Sequence, residues 1–285
     1  MAKRDWKPFG GKPPPDLADA RLQLHHAAQV LASTAMTYGT PKPDDSHTNM
    51  GYEDGAFTGR PFGPDDALSV RLHMERGVVE LRGPGDDTTH IRLAGRTQQS
   101  VYERLGDAIA AATNGALDKS LAKPDYELPD HPFANGAPFT ADHESLAELD
   151  RWFANADLLL RGIAGNVRQG EEASPVRTWP HHFDTGVIIS LDPGEDPESA
   201  RSIGIGLSPG DDTHPEPYFY TRPYPFDGKG ALPEPDAPGF WYTRSWEGMI
   251  LRAGDLVHEN NPEQAARRHL GQTVQIARSL LEASS

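Results

Sequence analysis

Ser202-Ile203-Gly204-Ile205-Gly206-Leu207-Ser208 alternates without a break between an apolar residue and a glycine or serine. Side chains of a strand point in turn to its two faces, so Ile203, Ile205 and Leu207 share one face and the bare positions share the other. The same period extends to both sides. Arg177 to Leu191 is predicted as one strand, with Trp179, His181, Phe183, Thr185, Val187 and Ile189 on the core face and His182, Asp184, Gly186, Ile188 and Ser190 opposite. Tyr218 to Tyr224 and Phe240 to Leu251 are predicted as two further strands. A helix opened by Thr140-Ala141-Asp142-His143 and running through Val167 precedes this region, and one begun by Asn261-Pro262-Glu263, with proline at its tolerated first position, follows it.

The first part of the chain repeats that order. A helix is predicted from near Asp16, with Leu17, Ala20, Leu24, Ala27, Ala28 and Leu31 at helical spacing. Strands are predicted around Ala56 to Arg60, Leu68 to Glu75, Val78 to Arg82 and His90 to Leu93, then a helix over Gln98 to Thr113 ended by Asn114-Gly115 as a left-handed cap. The fold class is therefore α+β: an antiparallel sheet with flanking helices, built from two similar helix-strands-helix halves. The boundaries are a proline-rich lead at 1–15, a first half at 16–122, a Pro/Gly-rich linker at 123–139 and a second half at 140–285, the halves forming one unit.

Composition excludes several classes of function. With no cysteine, disulfides, thiolate nucleophiles and cysteine-held metal clusters are ruled out, so any metal must be held by His, Asp and Glu. Lys and Arg number 27 against 42 Asp and Glu, a formal charge of −15, which argues against nucleic acid and anionic membranes as partners. No window reaches the roughly 18 apolar residues of a membrane span, and no apolar secretory stretch follows the first residues, so a cytoplasmic protein is expected.

Trp179-Pro180-His181-His182-Phe183-Asp184 places two imidazoles and a carboxylate inside a predicted core strand, where charge costs free energy. His182 and Asp184, two apart on one face, are the candidate acid-base pair; an Asp that merely orients a histidine fits the same spacing. His181, on the apolar face, reads as a core histidine. Arg177 and Arg222 are candidate anchors for an anionic group, and Trp179, Tyr218, Tyr220 and Trp246 are candidates to stack on an organic body. Asp211, in Ser208-Pro209-Gly210-Asp211-Asp212, either shapes a turn or is carried to the site by it. Glu216 completes the candidate ligand set. His214 and Glu216 repeat the spacing of His182 and Asp184, so these four could hold a divalent transition metal, although none is required. The glycine-serine face around Gly204 and Gly206 fits either close backbone packing or a ligand floor. His25 and His26 read as interfacial or exposed, and Ser46-His47-Thr48-Asn49 as a loop that could reach the same cleft.

The segments Trp179 to Asp184, Ser208 to Asp211 and Glu216-Pro217-Tyr218-Phe219-Tyr220 resemble those of a bacterial family of uncharacterised proteins, a domain of unknown function. The likeness covers nearly the whole chain. It implies one family-sized unit with this order of elements and supplies no activity. The expected function is binding of a small polar or anionic organic ligand in a cleft lined by His, Asp, Tyr and Arg. Alternatives are a metal-dependent hydrolase or oxygenase, and an interaction module with an aromatic docking face that could include self-association.

Overall fold

The structure, a computed structural model, describes residues 5–85, 87–195, 200–226, 228, 232–235 and 238–283; the first four residues of the proline-rich lead lie outside them. Pro14–Leu17 forms a single 3-10 turn that feeds α1 (Ala18–Tyr38). A five-stranded antiparallel meander follows: β1 (Gly51–Glu53), β2 (Ala56–Thr58), β3 (Ser69–His73), β4 (Val78–Arg82) and β5 (Thr88–Arg92). Then comes α2 (Gln98–Ala112), whose first turn is capped by the Thr97 side chain accepting from Ser100 N. The left-handed Asn114 and Gly115 close its end, with Gly115 N donating to Ala110 O.

The second half opens with α3 (His143–Ala164), capped by Asp142 accepting from Ser145 N. Its strands are β6 (Glu172–Ala173), β7 (Arg177–Trp179), β8 (Asp184–Ser190), β9 (Ser202–Ser208), β10 (Tyr218–Tyr224), β11 (Phe240–Thr243) and β12 (Glu247–Arg252). They form an antiparallel sheet in the order β11-β12-β10-β9-β8-β6, with β7 also paired to β8. A short α4 (Ala253–Leu256) leads to α5 (Pro262–Ala283), and Asn261 Oδ1 accepts from Gln264 N ahead of Pro262. No described helix is long and apolar enough to cross a membrane.

The α+β class and the helix-strands-helix order of each half are as expected from the sequence. The halves do not share one sheet, however. Each builds its own, and the two are joined by a single bridge in which Met50 and Thr178 exchange both backbone hydrogen bonds. Two long predicted strands are also each a hairpin. Residues 177–191 fold back at Pro180–Phe183, so Arg177 pairs with Gly186 and Trp179 with Asp184. Residues 240–251 fold back at Arg244–Trp246, with Thr243 opposite Glu247. Short aromatic-rich arms on either side of a tight turn keep the strand composition throughout, and Pro180 is the only proline or glycine within either turn.

One hydrophobic cluster runs through both halves, from Leu24, Val70 and Leu105 to Phe153, Ile205 and Leu251. α3 and α5 cover the inner face of the seven-stranded sheet, and α1 packs on β3, α2 and α3. Unusually for a central helix, α1 buries Arg21, Gln23, His25, His26, Gln29, Ser33 and Thr34. Several polar side chains of this helix hold segments from elsewhere in the chain. Gln23 Oε1 accepts from Thr140 N and Ala141 N, His26 bonds Pro129 O, Gln29 Oε1 accepts from the Tyr126 hydroxyl, and Thr37 Oγ1 accepts from Ala122 N. The Pro/Gly-rich segment 123–139 is therefore a strap bound along α1, tied to it at Tyr126, Pro129 and His131 and, just beyond its ends, at Ala122, Thr140 and Ala141.

Candidate functional site

The turn at Pro180–Phe183 is positioned by α1. The Pro180 carbonyl accepts from His25 Nε2 at 2.8 Å and from Gln29 Nε2 at 2.9 Å. Because a carbonyl can only accept, His25 carries its proton on Nε2. Burial pushes this imidazole down to about 4, so it is neutral at physiological pH. Phe183 adopts the left-handed conformation, with φ of 58°, and its buried ring stacks on His25 at a centroid distance of 5.0 Å. His181 is half-buried among Trp179, Tyr126 and His182, and burial also lowers its pKa. His182 is exposed.

Facing this turn, Ser208–Asp212 turns the chain after β9. Gly210 has φ of 116°, Asp211 Oδ1 accepts from Thr213 N and His214 N, and its Oδ2 accepts from the Tyr218 hydroxyl at 2.6 Å. Asp211 is thus committed to shaping the loop. Between α1, the 180–183 turn and the 209–213 loop lies a cleft of about 310 Å3, at the small end of the ~300–1,000 Å3 typical of ligand sites. His181 and His182 line it, together with Arg21 and His25, which are one helical turn apart on α1. Glu127 from the strap and Asp212 stand at its exposed rim.

Arg21 is the outlier of this cleft. It is only 7 % exposed, its Nε has no hydrogen-bond partner, and it makes no close ion pair among the described residues. Burial lowers its pKa, and the fields of Asp211 and Asp212 act against that. Arg278, equally buried, is by contrast held by both oxygens of Glu171 at 2.7 Å.

The other expected site residues lie elsewhere. On the outer face of the seven-stranded sheet, Tyr220 crosses the backbones of Gly206 and Gly186 and donates from its hydroxyl to Asp184 Oδ2 at 2.6 Å. A Cβ on Gly206 would overlap that hydroxyl and lie 2.5 Å from Tyr220 Cζ. The ring of Trp246 lies likewise over Gly248. The glycine face is thus filled by aromatic rings from neighbouring strands, rather than by a helix or an open ligand floor. Tyr218, Tyr242 and Ile250 are the buried members of this layer, with Tyr220, Phe240 and Trp246 packed around them.

Asp184 makes no hydrogen bond to His181 or His182; its Oδ1 is buried without a partner, and burial pushes its carboxyl pKa up. The Tyr220 phenol is raised in turn by burial and by the adjoining carboxylate. Arg177 does not pair with Asp184. It donates to Val176 O and sits in the fields of Arg60, Arg161, Glu53 and Asp157 where the sheets meet. Glu216 accepts from Gly254 N at the start of α4, and Arg222 is exposed on the outer face. The half-buried His214 ring lies among Tyr218, Phe240 and Tyr242. The four-residue metal set does not assemble: among the described residues, no three His, Asp or Glu side chains are placed to share one ion.

His25 and His26 are buried, not exposed, and Arg21, His25, Glu127 and Thr213 join the cleft without having been singled out as its residues. The one signal in the sequence was the run of polar residues on the core side of the first helix, where Arg21 and His25 stand four apart beside Leu24 and Ala28. The Ser46–Asn49 loop is tied down by Arg60, which donates to Ser46 O and Asn49 Oδ1; it runs beside β7 without lining the cleft. No family model, curated protein or solved structure matches the chain.

Proposed function

We propose that the protein binds a small organic anion in the cleft between α1, the 180–183 turn and the 209–213 loop, with Arg21 as the anchor and His181 and His182 as hydrogen-bonding partners. The observation that carries this reading is Arg21 in the cleft wall, only 7 % exposed, with its Nε buried without a partner and no hydrogen bond or ion pair among the described residues. Taking a charge out of water is costly unless a hydrogen-bonded counter-charge meets it. The nearest carboxylate of the cleft loop, Asp211, is already spent on Thr213 N, His214 N and the Tyr218 hydroxyl. A planar guanidinium fork suits a carboxylate or phosphate bidentately, and its donors are left for such a group.

The test is thermal-shift and calorimetric titration of the full chain with small carboxylates and phosphates, against sodium chloride at matched ionic strength. Saturable binding is expected for the wild type and its loss for Arg21→Met. A wild type that responds to these anions no more than to chloride would overturn the proposal.

A further inference from the structure

The charges around Arg21 narrow the ligand further. Arg21 is the one cation in the cleft lining, while Asp211, Asp212 and Glu127 all contribute carboxylates to it. The lining imidazole of His25 is held neutral by burial, and burial lowers His181 as well, so neither compensates. The fixed charge of the cleft is therefore net negative, in a protein that already carries −15. Glu127 and Asp212 are exposed, and neither has a hydrogen bond or ion pair among the described residues. A simple anion reaching Arg21 would pass two unpaired carboxylates, and a dianion would be repelled more strongly. A simple amine would leave the buried guanidinium without a partner.

We infer that the ligand is dipolar, a small amino-acid-like molecule whose carboxylate meets Arg21 and whose ammonium group is received by Glu127 and Asp212. This rests on the reading of Arg21 as the anchor and adds the second pole. Opposite unit charges in contact near a protein surface attract, but solvation and entropy oppose the pairing. Measured exposed pairs keep only a fraction of that attraction, so two carboxylates acting together are expected to be worth about tenfold in affinity.

The experiment is calorimetric titration of the full chain with glycine, β-alanine, 4-aminobutyrate and 6-aminohexanoate, each beside the carboxylate lacking the amine, with succinate and cadaverine as the dianionic and dicationic probes. The expected result is that at least one amino acid binds about tenfold more tightly than its des-amino partner. The Glu127→Gln/Asp212→Asn double variant, changed only at exposed positions, should erase that advantage and leave the simple carboxylate unchanged or tighter. Arg21→Lys, which keeps the charge without the fork, should weaken both. Carboxylates or succinate binding as tightly as the amino acids, with loss in Arg21→Lys, would overturn the dipolar ligand and leave the anion anchor standing. Cadaverine binding most tightly, or no probe binding, would overturn both.

Discussion

Tyr220 reaches Asp184 across two strands, its hydroxyl 2.6 Å from Oδ2, because Gly206 and Gly186 leave the sheet surface bare beneath its ring. The aromatic layer of the outer face depends on the missing side chains as much as on the rings.

Gly206→Ala should therefore be costly. The added methyl group would lie 2.5 Å from both Thr185 O and Tyr220 Cζ, and neither backbone nor ring can move without breaking the pairing. A loss of about 1–3 kcal/mol is expected in chemical denaturation, as for other overpacked sites. Gly204→Ala, two residues away on the same strand, meets only Arg222 O at 3.9 Å and should stay within about 0.5 kcal/mol of wild type. Equal effects at the two positions would refute the packing argument.

Asp184 gives a pH dependence of unusual sign. Its carboxyl pKa is raised by burial, so the native state holds this proton more tightly than the unfolded chain does. The stability it contributes is present below the unfolded value of about 3.9 and is lost as pH rises through the raised native value. Asp184→Asn, which keeps the shape and removes the charge, should be at least as stable as wild type at pH 7 and should lack that decline. Denaturation midpoints of the two proteins measured from pH 4 to 8 decide it.

Two histidines act in the opposite direction. Burial pushes both His25 and His269 down to about 4, and neither ring nitrogen of His269 has a partner. Their contribution is complete above the unfolded value of about 6.5 and is lost as pH falls toward 4, by up to about 3 kcal/mol for each. His269→Leu should remove about half of this acid-side loss. An unchanged slope in that variant would show that His269 does not stay neutral in the folded chain.

The strap along α1 is testable by proteolysis. Despite its composition, segment 123–139 should resist cleavage in the wild type, because α1 side chains pair its main chain and the Tyr126 hydroxyl. Gln29→Leu removes the acceptor for Tyr126 and one of the two donors to Pro180 O, and should cost about 2–3 kcal/mol. Cleavage between Lys123 and Phe139 should accelerate in that variant; wild-type cleavage there at the rate of an unstructured linker would contradict the pairing.

The elements were largely legible in the sequence and the site was not. The alternation in Ser202–Ser208 and the cap residues Asp142, Asn114 and Asn261 act over a few residues, so the period and the cap each leave a local mark. Which faces of neighbouring strands coincide was not legible: Tyr220 and Asp184 lie on the same side of the sheet because of the strand register, which the alternation within one strand does not fix. The hairpin at Pro180–Phe183 was hidden because its turn is stabilised from α1, by His25 and Gln29, instead of by glycine or asparagine within the turn. The cleft was hidden for the same reason. Arg21 sits among helix-face residues that read as ordinary core spacing, and only docking against the 209–213 loop turns its guanidinium into a wall of a cavity.

Phe183 carries a last consequence, for the order in which the molecule is made. A left-handed aromatic residue is disfavoured in an isolated hairpin and gains its compensation from the stack on His25, while the neighbouring Pro180 carbonyl bonds a residue 155 positions earlier. Contacts of such separation close late, after the chain has paid most of its loop-closure entropy. During synthesis the cleft cannot exist until the 209–213 loop has emerged and the second half has docked on α1. Binding of the proposed ligand would then report completed assembly, and a half-made chain would show none.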